Sequence, residues 1–126
     1  MTSQHEHSVR ITKWELALEG ILGLPADPRG VVVFAHGSGS GRLSPRNTFV
    51  AGRLQQAGLA TLLLDLLTEE EADDRRKVFD INLLADRLLL AKRWLEAEPL
   101  TRTLKIGYFG ASTGAGAALQ AAAREP

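Results

Sequence analysis

The chain has 126 residues, with fifteen basic and fifteen acidic side chains that balance to zero formal charge, three histidines and no cysteine. That length supports one domain with a single core and is short for an enzyme built on a large parallel sheet. The charge balance leaves no electrostatic footprint for nucleic acid or an anionic membrane, and the lack of cysteine excludes disulfides and thiolate metal sites.

Met1 to Ser8 is polar and reads as a disordered lead, with residues 9–126 forming the folded domain. His5 and His7 have no third ligand in sight, so neither a metal nor a cofactor is expected. No apolar run approaches the ~18 residues needed to span a bilayer, and a soluble cytoplasmic protein is the expectation. From Val9 the alternation through Ile11, Lys13, Trp14, Leu16, Leu18, Gly20 and Leu22 predicts one or two strands of a half-buried antiparallel ribbon, broken at Pro25 to Gly30. Val31 to Ala35 is a continuous β-branched and apolar run, the pattern of a central parallel strand covered on both faces.

A helix follows. Ser44 suits its N-cap and Pro45 its first position, with Phe49, Val50, Leu54 and Ala57 at helical spacing until Gly58. Leu59 to Asp65 is the next buried strand. Glu69 to Lys77 is charge-segregated and reads as a solvated loop. Asp80 caps a long helix with the stripe Ile81, Leu84, Leu88, Ala91 and Leu95, closing near Pro99. Leu104 to Phe109 is a third apolar strand, and the last helix offers Ala115, Ala118, Leu119 and Ala122 for close approach to the sheet. Strand and helix thus alternate, which predicts an α/β fold: a mainly parallel sheet with helices on both faces and an N-terminal antiparallel ribbon.

Sites in such sheets gather at the carboxyl ends of the strands, and His36 to Gly41, Asp65 and Ser112 all fall there. Gly110-Ala111-Ser112-Thr113-Gly114 has the spacing of a nucleophile elbow, in which a serine sits on a sharp strand-to-helix turn flanked by glycines. Ser112 is the candidate nucleophile, and the Thr113 N–H is aimed where a tetrahedral oxyanion would form. His36-Gly37-Ser38-Gly39-Ser40-Gly41 follows an earlier strand, and the Ser38 N–H is the candidate second donor. His36 reads as an organiser of this loop, bonding local backbone, and His36 and Gly37 border the substrate space. Asp65 either caps a turn or contacts substrate. Arg46, a cation in a first helical turn, opposes the helix dipole, so it is expected to face Asp65 or an acidic group of the substrate.

These motifs, with Ser44-Pro45-Arg46-Asn47 and Leu64-Asp65-Leu66-Leu67 between them, resemble in order and separation the amino-terminal half of an α/β-hydrolase of the dienelactone-hydrolase-like group. The resemblance implies the α/β-hydrolase fold, cut after the nucleophile helix, with Ser112 as nucleophile and the Ser38 and Thr113 amides as oxyanion hole. It implies a serine esterase or lactonase acting on a small ester or lactone. Dienelactone hydrolases proper carry cysteine where this chain has Ser112, so their substrate does not transfer. The family's triad acid and histidine follow the nucleophile, whereas here only Gly114 to Pro126 remain and all three histidines precede Ser112. The chain is therefore expected to be a fragment, nearly inactive alone and aggregation-prone along the Lys105 to Phe109 edge.

A second reading is a Rossmann-like nucleotide- or phosphate-binding module without catalysis, supported by two glycine-rich strand-to-helix turns and by Asp65 downstream of the first. Against it, Arg42 stands where the third glycine belongs, and no Gly-Lys-Ser/Thr occurs.

Overall fold

The computed structural model describes residues 5–37 and 41–126. Two strands, β1 (His5–Lys13) and β2 (Leu16–Leu24), pair antiparallel along their whole length, His5 opposite Leu24 and Lys13 opposite Leu16. The strand therefore starts at His5, inside the stretch expected to be a disordered lead. Its polar residues are held by the backbone ladder, which needs no apolar side chain and covers what would otherwise be the open edge of β2. Trp14 and Glu15 form the turn between the strands. Trp14 takes a left-handed φ of 55° and is 93% exposed, so the apolar alternation changes phase there and does not run through it.

Three further strands complete one mixed sheet: β3 (Val31–Ala35), β4 (Ala60–Leu64) and β5 (Ile106–Gly110). The order is β1-β2-β4-β3-β5. Strand β2 meets β4 antiparallel, while β4, β3 and β5 run parallel. The continuous apolar runs of β3 and β4 are explained by helices on both faces.

On one face lies α1 (Pro45–Gln56), begun by Pro45 and by the Ser44 hydroxyl, which accepts from the Asn47 N–H at 3.4 Å, and ended near Gly58 with its φ of 92°. Ala51 packs with Phe34 and Leu63, supported by Val50 and Leu54. Phe49, expected in that stripe, is 66% exposed, because Ala51 and Gln55 occupy the sheet-facing positions. Gln55 is tolerated there since its amide donates to the Thr61 hydroxyl at 2.8 Å.

The opposite face carries α4 (Ile81–Ala97) and α5 (Thr113–Arg124). The Asp80 carboxylate caps α4, accepting from the Leu83 N–H at 3.1 Å. Leu84, Leu88, Ala91 and Leu95 then pack on Val31, Val33, Leu62 and Leu64 in the main core. Each of the leucines contributes on the order of 1.5–3 kcal/mol by leaving water. In α5 the buried residues are Gly114, Ala117 and Ala121, and Leu119 is 74% exposed. The buried stripe lies one residue earlier than the one expected from hydropathy, because closeness of approach and not side-chain size decides which side of this helix meets β3.

Between β4 and α4 the expected charged loop contains two single-turn helices, α2 (Glu69–Ala72) and α3 (Arg75–Val78). A reciprocal capping box begins α2: Thr68 N–H donates to Glu71 Oε1 at 3.0 Å and Glu71 N–H to Thr68 Oγ1 at 3.3 Å. No helix among the described residues is long and apolar enough to cross a membrane.

Candidate active site

Ser112 stands at the carboxyl end of β5, where the strand turns into α5, with φ 57° and ψ −130°. Trp14 and Asp27 also have positive φ, but both sit in turns, whereas Ser112 takes a glycine-like conformation at a strand-to-helix junction. Holding a serine there costs roughly 1–3 kcal/mol, which the surrounding bonds must offset. Gly114 N–H donates to Ala111 O at 2.9 Å and Ala115 N–H to Ser112 O at 3.0 Å. Gly114 lets α5 start against β3, since a Cβ there would lie 1.9 Å from Ala35 O. The result is an exposed Ser112 beside Thr113, whose N–H as the first of α5 has no acceptor within the helix.

The turn after β3 reaches this serine. A Cβ on Gly37 would lie 2.8 Å from Ser112 Cβ, so only glycine allows the two segments to touch. His36 fixes the turn. Its Nε2 accepts the Leu66 N–H at 2.9 Å, and Nδ1, 3.0 Å from Gly37 O, donates to that carbonyl. Both ring nitrogens are thereby used within the protein, which matches a loop organiser. Ser38 lies outside the described residues.

Asp65, at the end of β4, accepts the Arg42 N–H at 2.6 Å on Oδ1 and pairs through Oδ2 with the Arg42 guanidinium. The partner of Asp65 is thus Arg42 and not Arg46. The pairing depends on where the chain after Gly41 passes over the strand end, which neither the helix pattern nor residue spacing discloses. Arg46 is exposed in the first turn of α1 and has no ion pair among the described residues.

Two small cavities flank the Gly37 turn. One, about 350 Å³, lies on the α1 side and is lined by Phe34, Ser44, Arg46, Asn47 and Phe109. The other, about 330 Å³, lies on the α4 side, between Leu67, Thr68, Val78, Leu84 and Thr113. His36 and Gly37 border both. A larger groove of about 930 Å³ runs along β5 and α5 and touches the elbow only through Gly110 and Ala115. It follows the uncovered edge of the sheet and contains none of the candidate residues.

The wall of the second cavity is clamped from behind. Arg87, 9% exposed, donates to both Glu71 oxygens at 2.7 Å and to Leu66 O at 3.0 Å. The bonds from Arg87, with help from the Thr68 backbone, lower the Glu71 pKa to about 2. Hydropathy and charge patterning overlooked this pair, because Glu71 sits within an acidic run and Arg87 within an apolar helix.

The arrangement is a mixed sheet with helices on both faces, with Ser112 at a strained strand-to-helix bend and a glycine turn beside it. No protein-family model matches the chain. A solved dienelactone hydrolase from Anabaena variabilis ATCC 29413 is 56% identical with a TM-score of 0.93, over 98% of this chain and 59% of that one. A dienelactone hydrolase-like promiscuous phosphotriesterase from metagenomic libraries shares the fold at 21% identity and TM-score 0.76, over 94% and 54%. Two Mycobacterium tuberculosis proteins, from strains CDC 1551 and H37Rv, are 56% identical over 118 residues. They bear a provisional phosphoribosyl-transferase name, and the match covers 94% of this chain and 27% of each. The fold is that of the dienelactone-hydrolase-like α/β hydrolases, and the chain spans a little over half of the Anabaena protein.

Proposed function

We propose that the protein is a serine hydrolase that cleaves a small ester or lactone through an acyl-enzyme on Ser112. The observation that carries this reading is the strained φ, ψ pair of Ser112 at the strand-to-helix bend with Gly37 packed on it. A serine is held in that geometry when its oxygen must stand clear of the sheet. Ser112 Oγ attacks the carbonyl as its proton passes to the base, the Thr113 N–H and a second amide from the His36–Gly41 turn receive the oxyanion, the C–O bond breaks and the alcohol leaves with that proton, and water then hydrolyses the acyl-enzyme to release the acid and free Ser112. Each oxyanion donor is worth on the order of 3 kcal/mol of transition-state stabilisation. No residue of this chain is assigned as general base. His36 is committed to Leu66 and Gly37, and His5 and His7 lie on β1, at the opposite edge of the sheet from β5. The reading therefore places base and orienting acid outside residues 1–126.

The mycobacterial name favours a second reading, phosphoribosyl transfer, in line with a phosphate-binding module. Nearly three quarters of each mycobacterial chain lies outside the match, so that name need not describe the matched part. Labelling the full-length protein with a fluorophosphonate and mapping the adduct separates the two. Modification of Ser112 that disappears in Ser112→Ala supports the hydrolase. No labelling, together with a rise in melting temperature on adding phosphoribosyl diphosphate, supports the transferase.

A further inference from the structure

The α4-side cavity beside the elbow has an uneven chemical lining. Its floor and side are apolar, from Leu67, Val78 and Leu84. No cation is among the described lining residues; Arg42 is engaged by Asp65, and Arg87 and Lys77 by Glu71. Glu69, at the rim, has no ion pair among the described residues. A carboxylate placed here would lose water without gaining a counter-charge and would face Glu69.

Resting on the serine-hydrolase reading, we infer that this cavity is the acyl subsite and that it takes a short uncharged acyl arm. Gly37 and Thr113, which border it, are also the residues next to Ser112, so an acyl group on Ser112 Oγ can extend directly into the space. The volume of about 330 Å³ is at the small end of ligand pockets and suits a chain of a few carbons.

The test uses two inert amides of equal length, 4-hydroxy-N-methylbutyramide and N-methylsuccinamate, which differ at the far end as a hydroxymethyl group against a carboxylate. The full-length protein is titrated with each, and the methyl resonances of Leu67, Val78, Leu84 and Thr113 are followed by NMR. The neutral amide is expected to shift these methyls and to bind at least about tenfold more tightly, and Glu69→Lys to narrow the gap to about threefold or less. Val78→Trp is expected to abolish binding, with a melting curve as control for folding. Equal binding of the two amides, or shifts confined to Ala118 and Leu119 in the β5 groove, overturns the inference. Fluorophosphonate labelling on the same sample keeps the two readings apart. Neutral-amide binding with an unlabelled Ser112 sinks the nucleophile and spares the cavity, and a labelled Ser112 with no preference between the amides does the reverse.

Discussion

Glu71→Gln removes the charge of the clamp that holds α2 to α4. Gln keeps an oxygen for the Thr68 N–H and for one Arg87 donor, so the capping box survives, while the charge and the acceptor for the second Arg87 donor are removed. In the folded protein the Glu71 pKa falls from 4.5 to about 2. A shift of that size corresponds to about 3 kcal/mol, and to about 2 kcal/mol once solvent contact on the open side is allowed for. The sign follows from the depressed folded value. Protonation is disfavoured in the folded state, so the contribution is complete above the unfolded pKa and is lost as pH falls toward 2. Urea unfolding followed by Trp94 fluorescence, on wild type and Glu71→Gln from pH 7 to pH 2.5, reads it directly. The expected gap is about 2 kcal/mol at pH 7, closing steadily below about pH 5. A gap that stays constant over this range refutes the argument, because it would mean the bonds to Arg87 stabilise through shape and not charge.

Gly37→Ala should leave the fold intact while lowering fluorophosphonate labelling of Ser112 by at least about tenfold, since the new Cβ meets Ser112 Cβ at 2.8 Å and moves either the turn or the serine. Mass spectrometry of the adduct, with circular dichroism as control, checks this. His36→Leu removes the acceptor of the buried Leu66 N–H and should cost about 1–3 kcal/mol in urea unfolding, with partial recovery in His36→Gln. Leu88→Ala, at a fully buried position between α4 and the sheet, should cost about 2–5 kcal/mol in the same assay.

What could be read from the chain alone follows from how local each signal is. Val31 to Ala35 is a strand at the expected residues because a β-branched run between a glycine and a histidine-glycine turn has no competing period. Ser44, Pro45 and Asp80 act as caps because capping depends on the next three residues only. The elbow is likewise a five-residue statement, and φ and ψ at Ser112 are those its glycines permit. Where the answer depended on distance in space, sequence pointed elsewhere. Asp65 was offered Arg46 and holds Arg42 instead, and the acidic run from Glu69 conceals a capping box anchored by an arginine on another helix.

The displaced stripe of α5 shows why the site and the fold had to be read together. By hydropathy Leu119 belongs inside, but the start of this helix is set by the serine bend, and the bend requires Gly114 to face Ala35 O. Once Gly114 faces β3, the 3.6-residue period carries Ala117 and Ala121 to the same side and turns Leu119 outward into the groove along β5. Packing of the final helix is thus a consequence of the bend at Ser112. A substitution that relaxed the bend, by moving the requirement at Gly114, would free α5 to rotate toward burying Leu119 and would withdraw the Thr113 N–H from Ser112 in the same motion.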